Sequence, residues 1–352
     1  MYKYDVIVIG SGFAGSEAAM ASARAGAKTL MIAINMDSIA TMPFGNILGN
    51  KKYREVFIRI EKYGSMIPEN IKKNSLIEIK RGKYSNNNIA GSIVIDKKRY
   101  SLKMKELIEN TENLDIRQGL VTDIIIKDKS FEIITSDYLK FTADAVVLCT
   151  GTFLNSRIFW GENIIEGGRP GEIRSLRLKN NLIKKGFKFT SKCIFAAPEI
   201  KKRTINVKNV NIKCIRDKGI EYFVVFPGEV FKKVNTGKEI KNLYIIPDGI
   251  DSDEMYMKGF ENSLSEDMQT DLIRKLEGFE NAFITRPGYG IEYGCLSPFQ
   301  INETLESIKI RGLFFAGRIN RTNKYEQSLE QGLLAGINAC KKVKGIEMVN
   351  SI

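Results

Sequence analysis

The stretch DVIVIGSGFAGSEAA, residues 5–19, constrains the fold more than any other part of the chain. Gly10, Gly12 and Gly15 form a GxGxxG. They follow the short apolar run YDVIVI (4–9), which reads as a buried parallel strand. They open AGSEAAMASARAG (14–26), a helix whose small residues permit close packing and which Gly26 ends. KTLMIAIN (28–35) reads as a second buried strand. Strand, glycine turn, helix, strand is the context that gives the motif its physical meaning. Gly10 allows the tight turn, Gly12 lets the backbone approach a pyrophosphate, and Gly15 lets the helix lie close on the strand. The phosphates then sit at the positive end of the helix. The prediction is a Rossmann-like parallel sheet that binds a dinucleotide.

The 352 residues are 43% hydrophobic, enough for two domains or for one domain with an insertion. YREVFIRIEKYGSM and residues 101–112 read as helices, and LIEIKRGKY and GSIVID as strands. LDIRQGLVTDIIIKDKSFEIIT alternates as a strand and a hairpin, and ADAVVLCTGTFL (143–154) is a further apolar strand. The character changes at 190–280. CIFAAPEI, EYFVVFP and NLYIIPDG are β-like runs broken by Pro and Gly, and NSLSEDMQTDLIRKLEGF reads as a helix with a serine N-cap. GLFFAGRIN (312–320) is a last strand with a glycine turn, and 328–343 a closing helix. The expected fold is α/β, with an FAD-type domain in two parts, 1–190 and 281–352, interrupted by a smaller α+β domain at 191–280.

Composition excludes several chemistries. The chain has no histidine, so a Ser-His-Asp triad, a His base and a His metal site are ruled out. The five cysteines form no CxxC, and no metal site is expected. No signal peptide and no run of about 18 apolar residues is read, which points to the cytoplasm and away from membranes. The net charge of +13 has two readings. It suits a polyanionic partner such as RNA, or it reflects an AT-rich coding bias toward scattered Lys.

Three later features favour FAD over NAD as the bound dinucleotide. VVLCTGT (146–152) resembles the second glycine motif of flavoproteins. GLFFAGRIN stands where two-dinucleotide flavoproteins contact the ribityl chain and pyrophosphate. Gly332 and Gly336, on the last helix, are read as approaching the isoalloxazine end. An acidic ribose ligand is missing after the second strand, so Asn35 is the candidate in its place.

Residues 5–42, together with AVVLCTGTFL, GGRPGE, TRPGYGIEY and GLFFAGRIN…YEQSLEQGLLAGINA, resemble the MnmG (GidA) family over almost the whole chain. That family consists of FAD proteins that modify the wobble uridine of tRNA with a GTPase partner. The resemblance implies FAD contacts by Gly10, Gly12, Gly15, Asn35, Val121 (through its backbone), Thr150, Gly151, Gly317 and Gln331. It also implies RNA as the substrate class, NAD(P)H as reductant and a homodimer.

The same comparison carries departures. The family uses two cysteines, one to attack uridine C6, while a carbon unit from a folate passes through the flavin. Here Phe44 (in MPFGN) and Phe226 (in VVFPGE) take those positions, and a phenyl ring is no nucleophile. The glycine-rich loop is altered to NILGNKKYRE. Twelve residues follow Cys340, so the family's long C-terminal helical domain is not read in this chain. Folate use is therefore in doubt. The expectation is a flavin-dependent oxidoreductase in or derived from RNA modification. A small-molecule oxidoreductase or a non-catalytic FAD protein stays open.

The candidate catalytic groups each have two readings. Cys295 is a thiol facing the flavin or a small buried packing residue. Glu292, with Tyr293, positions substrate or fixes a strand end. Arg318 replaces an uncharged amide of the family. It stabilises the anionic reduced ring or binds the pyrophosphate. Arg169 holds an anionic ligand or is simply solvated, and Tyr325 and Glu326 match a family pair that serves site or structure.

Overall fold

The computed structural model describes residues 2–49, 54–80, 89–206, 208, 212–217, 219–227, 240 and 242–352. The chain opens with β1 (Tyr2–Ile9), α1 (Phe13–Arg24) and β2 (Thr29–Ala33). Val6, Ile7 and Val8 are completely buried, as expected for a strand covered on both faces. Gly26, at φ +86°, ends the helix. Next come β3 (Ile47–Leu48), α2 (Arg54–Lys62), α3 (Ile67–Lys73), β4 (Ser75–Glu78), β5 (Ile93–Ile95) and α4 (Lys97–Glu109). The strand read at 76–84 is thus observed over its first residues, and its positions 81–84 lie outside the described residues, as does part of NILGNKKYRE. α4 starts four residues earlier than its sequence pattern suggested, because Asp96 caps it by accepting from the Arg99 N–H at 3.0 Å.

The strands β6 (Leu114–Gln118), β7 (Val121–Ile126), β8 (Phe131–Thr135) and β9 (Lys140–Leu148) follow. Then come β10 (Arg157–Trp160), β11 (Asn163–Glu166), α5 (Leu176–Lys184), β12 (Phe189–Ala196), β13 (Glu199–Lys201), β14 (Ile212–Asp217), β15 (Ile220–Val225), β16 (Leu243–Pro247) and β17 (Glu254–Lys258). α6 (Glu266–Arg274), β18 (Ile284–Arg286), β19 (Tyr289–Leu296), β20 (Leu313–Phe315) and α7 (Tyr325–Val343) complete the order. Ser265 caps α6, as its sequence suggested.

The expected α/β class is the one observed. A seven-stranded sheet runs β6-β2-β1-β9-β8-β7, with β20 also paired to β9. β6, β2, β1, β9 and β20 are mutually parallel, while β7 and β8 join antiparallel. The chain leaves β1 for β2 on one side and returns to β9 on the other, so β1 and β9 flank a topological switch point. Among the described residues three more sheets are antiparallel: β11-β10-β19-β12, β14-β15-β16-β17-β13-β18 and β3-β5-β4.

α1 is buried on every side because α7 covers the face that the sheet does not. A Cβ on Gly332 would lie 2.3 Å from the Ala14 carbonyl oxygen, and one on Gly336 would lie 2.2 Å from that of Ala18. These two glycines therefore exist for helix–helix approach. The sequence reading that aimed them at the isoalloxazine is corrected by this geometry. No helix among the described residues is long and apolar enough to cross a membrane.

Candidate functional site

A cleft opens at the carboxyl ends of β1, β2, β9 and β20, where Gly10, Asn35, Thr150 and Ala316 line it. Its base is the GxGxxG turn, and the three glycines differ sharply. Gly10 has φ +107°, and a Cβ there would lie 2.3 Å from the Cys149 carbonyl oxygen. A Cβ on Gly15 would lie 1.8 Å from the Gly10 oxygen, so this residue lets α1 start against the turn. Gly12 has nothing within 4 Å of that position. It is the N-cap of α1 and offers no side-chain cap, so the first amides of the helix meet the cleft uncovered. Across the turn, Gly151 (φ +58°) is equally open, and the buried Thr150 Oγ1 has no protein partner. An open glycine turn at a helix N-terminus, beside an orphaned buried hydroxyl, fits the pyrophosphate of a dinucleotide.

The other expected contacts fall into two groups. Asn35 and Val121 line the cleft with Gly10, Gly12, Thr150 and Gly151. Asn35 Oδ1 accepts from the Asp37 N–H at 2.8 Å, which shapes the turn after β2 and leaves its NH₂ as the free group. The Val121 carbonyl accepts from Ser175 Oγ at 3.2 Å. Gly15, Gly317 and Gln331 stand behind the wall. Gln331 Oε1 accepts from the Gly317 N–H at 3.0 Å and so fixes the turn after β20.

The candidate catalytic residues do not converge. Arg318 lines the cleft, with its guanidinium 4.7 Å from the centre of the Phe44 ring. Glu292 pairs from β19 with Arg157 on the neighbouring strand β10 at 2.6 Å, and this hydrogen-bonded ion pair holds its carboxyl below the usual range. Cys295 is fully buried in β19, with its Sγ 3.4 Å from Thr190 Oγ1, and neither residue lines the cleft. Arg169 does line it, and as a strut. Its guanidinium pairs with both Glu172 oxygens (2.7 and 2.9 Å) and with Thr41 Oγ1, while Ser38 Oγ donates to Glu172 at 2.9 Å. Loops 38–41 and 167–172 are fastened together by these bonds. Cys149 also borders the cleft, but burial pushes its thiol well up.

Two features lay beyond the sequence reading. Tyr325 Oη accepts from the Phe44 N–H at 3.1 Å, and its ring lies 4.4 Å from that of Phe13, so the start of α7 sets the position of residue 44. The partners are 281 residues apart, and no local pattern signals the bond. The second is a buried charge network around a neighbouring cavity. Lys97 pairs with Glu199 at 2.7 Å and Asp248 at 2.5 Å, and Arg286 pairs with Glu199 and Glu254. Burial presses the Lys97 ammonium down, but the two carboxylates raise it above its ordinary value. Burial pushes Asp248 up to about 6.

The model of the family described as glucose inhibited division protein A (GidA) matches residues 5–232 and 226–347. The tRNA uridine 5-carboxymethylaminomethyl modification enzyme MnmG of Caldicellulosiruptor saccharolyticus is 33% identical over 99% of this chain and 63% of its own length. The structure of Aquifex aeolicus GidA superposes with a TM-score of 0.89 at 32% identity, covering 99% of this chain and 64% of that one. The GidA-related protein of Thermus thermophilus shares the fold, with a TM-score of 0.54 at 16% identity over 95% of this chain and 96% of that one. The chain thus spans about 63% of the length of the curated relative it matches.

Proposed function

The chain belongs to the GidA family, and from that premise we propose that it is an FAD-binding flavoprotein, an oxidoreductase acting in the modification of tRNA. One observation carries the cofactor: the open Gly12 turn at the uncapped start of α1, facing the unpartnered Thr150 hydroxyl. The Gly10–Gly12 turn and the first amides of α1 would hold the pyrophosphate. Asn35 would take the ribose, and the Val121 backbone the adenine. The turn that Gln331 sets at Gly317 would hold the ribityl side.

When bound, FAD supplies two-electron chemistry, with NAD(P)H as the proposed reductant. The chain's own part is binding, orientation and charge. The Arg169–Glu172–Thr41 strut fixes one wall of the cleft. Arg318, whose guanidinium lies over the Phe44 ring, would bring a positive charge to the wall of the cleft. Phe44 and Phe226 offer no thiolate, so the proposed reaction does without a protein nucleophile at those positions. Cytoplasmic location and a homodimer complete the proposal.

The test is an anaerobic absorbance spectrum of the purified protein during NADH addition. A bound flavin band that bleaches supports the oxidoreductase reading. A band that survives argues for an FAD-bearing binding protein. A preparation that takes up no FAD overturns the cofactor assignment.

A further inference from the structure

A second cavity, of about 200 Å³, backs onto the cleft at Phe44, Arg318 and Tyr325, which line both. Its other walls carry Lys258, Glu261, Lys324 and Glu326. Three cations therefore surround one space. Lys258 is paired with Glu261. Arg318 and Lys324 form no ion pair among the described residues. Glu326 is committed elsewhere. It is buried, accepts from the Gly49 N–H at 2.5 Å, and is held above the usual carboxyl range by that burial. Loss of solvent above all, with the neighbouring Lys258, holds the Lys324 ammonium below its ordinary value; Glu326 and Glu261 pull the other way, and Arg318 adds the smallest push down. A fourth cation sits at the rim. Lys192 Nζ donates to Asn323 Oδ1 at 2.5 Å and to the Arg321 carbonyl at 3.1 Å, and Asn323 also lines the cavity.

Three cations face two carboxylates here, one already paired with Lys258 and the other buried on a backbone amide, so the cations are in excess and an anion relieves their repulsion. A phosphate suits them, since its several oxygens accept from two ammonium groups and a planar guanidinium at once. We propose that this cavity is a phosphate-binding subsite, in which Lys324, Arg318 and Lys258 receive a phosphate of a nucleotide-bearing substrate whose reacting end enters the cleft past Phe44. The position of that reacting end rests on the flavin reading of the cleft.

Two sources offer this phosphate: the diester backbone of RNA and the phosphates of a free nicotinamide dinucleotide. The experiment measures affinity of the purified chain for a short single-stranded RNA and, separately, for NADPH, at two salt concentrations. The variants are Lys324→Ala, Lys324→Arg and, as a control away from the cavity, Lys213→Ala. Lys324→Ala should weaken one arm about tenfold, the worth of a hydrogen bond to a charged group, while Lys324→Arg keeps most of it. Loss in the RNA arm should come with a salt slope shallower by about one. The arm that responds names the source. A change under threefold in both arms, an equal loss in Lys213→Ala, or a native chain that binds neither probe overturns the subsite. FAD content is read from the same samples. Its absence would overturn the flavin reading, while the affinities still judge the phosphate site.

Discussion

Gly12 and Gly15 stand three residues apart and carry opposite obligations. Gly12 has φ −74°, a value alanine adopts freely, and its missing Cβ points into open space. Gly15 faces a backbone oxygen that cannot move without moving the strand. Gly12→Ala should therefore leave the urea midpoint nearly unchanged and lower FAD affinity by about 1–3 kcal/mol, the usual scale of an overfilled contact. Gly15→Ala should destabilise the fold itself by about 3 kcal/mol or more, with the clash between backbone atoms. A Gly12→Ala protein that binds FAD as tightly as the native chain would remove the pyrophosphate from this turn. The identity of both glycines was legible in the sequence. Phe44 was legible as an absent thiol, but its role was not. The Arg318 and Tyr325 contacts that hold it come from the other end of the chain.

At the level of elements, the start of α4 is the joint between the FAD-type sheet region and the six-stranded sheet. Asp96 caps the helix and accepts from the Ile250 N–H at 3.0 Å, and Lys97 reaches Glu199 and Asp248. Asn46 ties the same joint, donating to the carbonyls of Ile95 and Pro247. Asp248 titrates higher in the folded protein (about 6) than its ordinary 3.8, so between these values the native state holds more proton than the unfolded chain. Its contribution to stability is present below about pH 4 and is lost as the pH rises through 6. Asp248→Asn cannot ionise. Relative to the native chain, it should gain stability from pH 4 to pH 7, by about 3 kcal/mol at most. Urea unfolding of both proteins at the two pH values measures this. A relative loss over that interval would show that the Lys97 pairing outweighs burial. None of this network was read from the sequence, because acids at 199, 248 and 254 and a lysine at 97 share no local period. The glycines of α7 were noticed but misassigned, since a small residue on a helix looks the same whether a ligand or another helix lies beside it.

For the whole molecule, the cleft gathers strand ends from residues 9, 33, 148 and 315, so a ligand that bridges them ties distant segments together. FAD at a hundred times its dissociation constant should stabilise the fold by about 2.7 kcal/mol, seen as a higher thermal midpoint. An unchanged midpoint in protein that has taken up FAD would mean that the cofactor binds a segment that opens before the fold does. The sequence by itself determined the parallel sheet and the glycine turn, the shape that suits a dinucleotide. These rest on short-range demands: backbone angles, strand burial and the packing of small residues, all within a few positions of each other. Only the tertiary structure decided which charged groups are already spent. Arg169, Glu292 and Cys295 look chemically available in one dimension, yet each is occupied by a partner or buried. Arg318 and Lys324 look like any other basic residues until the fold sets them around one cavity. A side chain's chemistry depends on what surrounds it, and that depends on contacts across hundreds of residues.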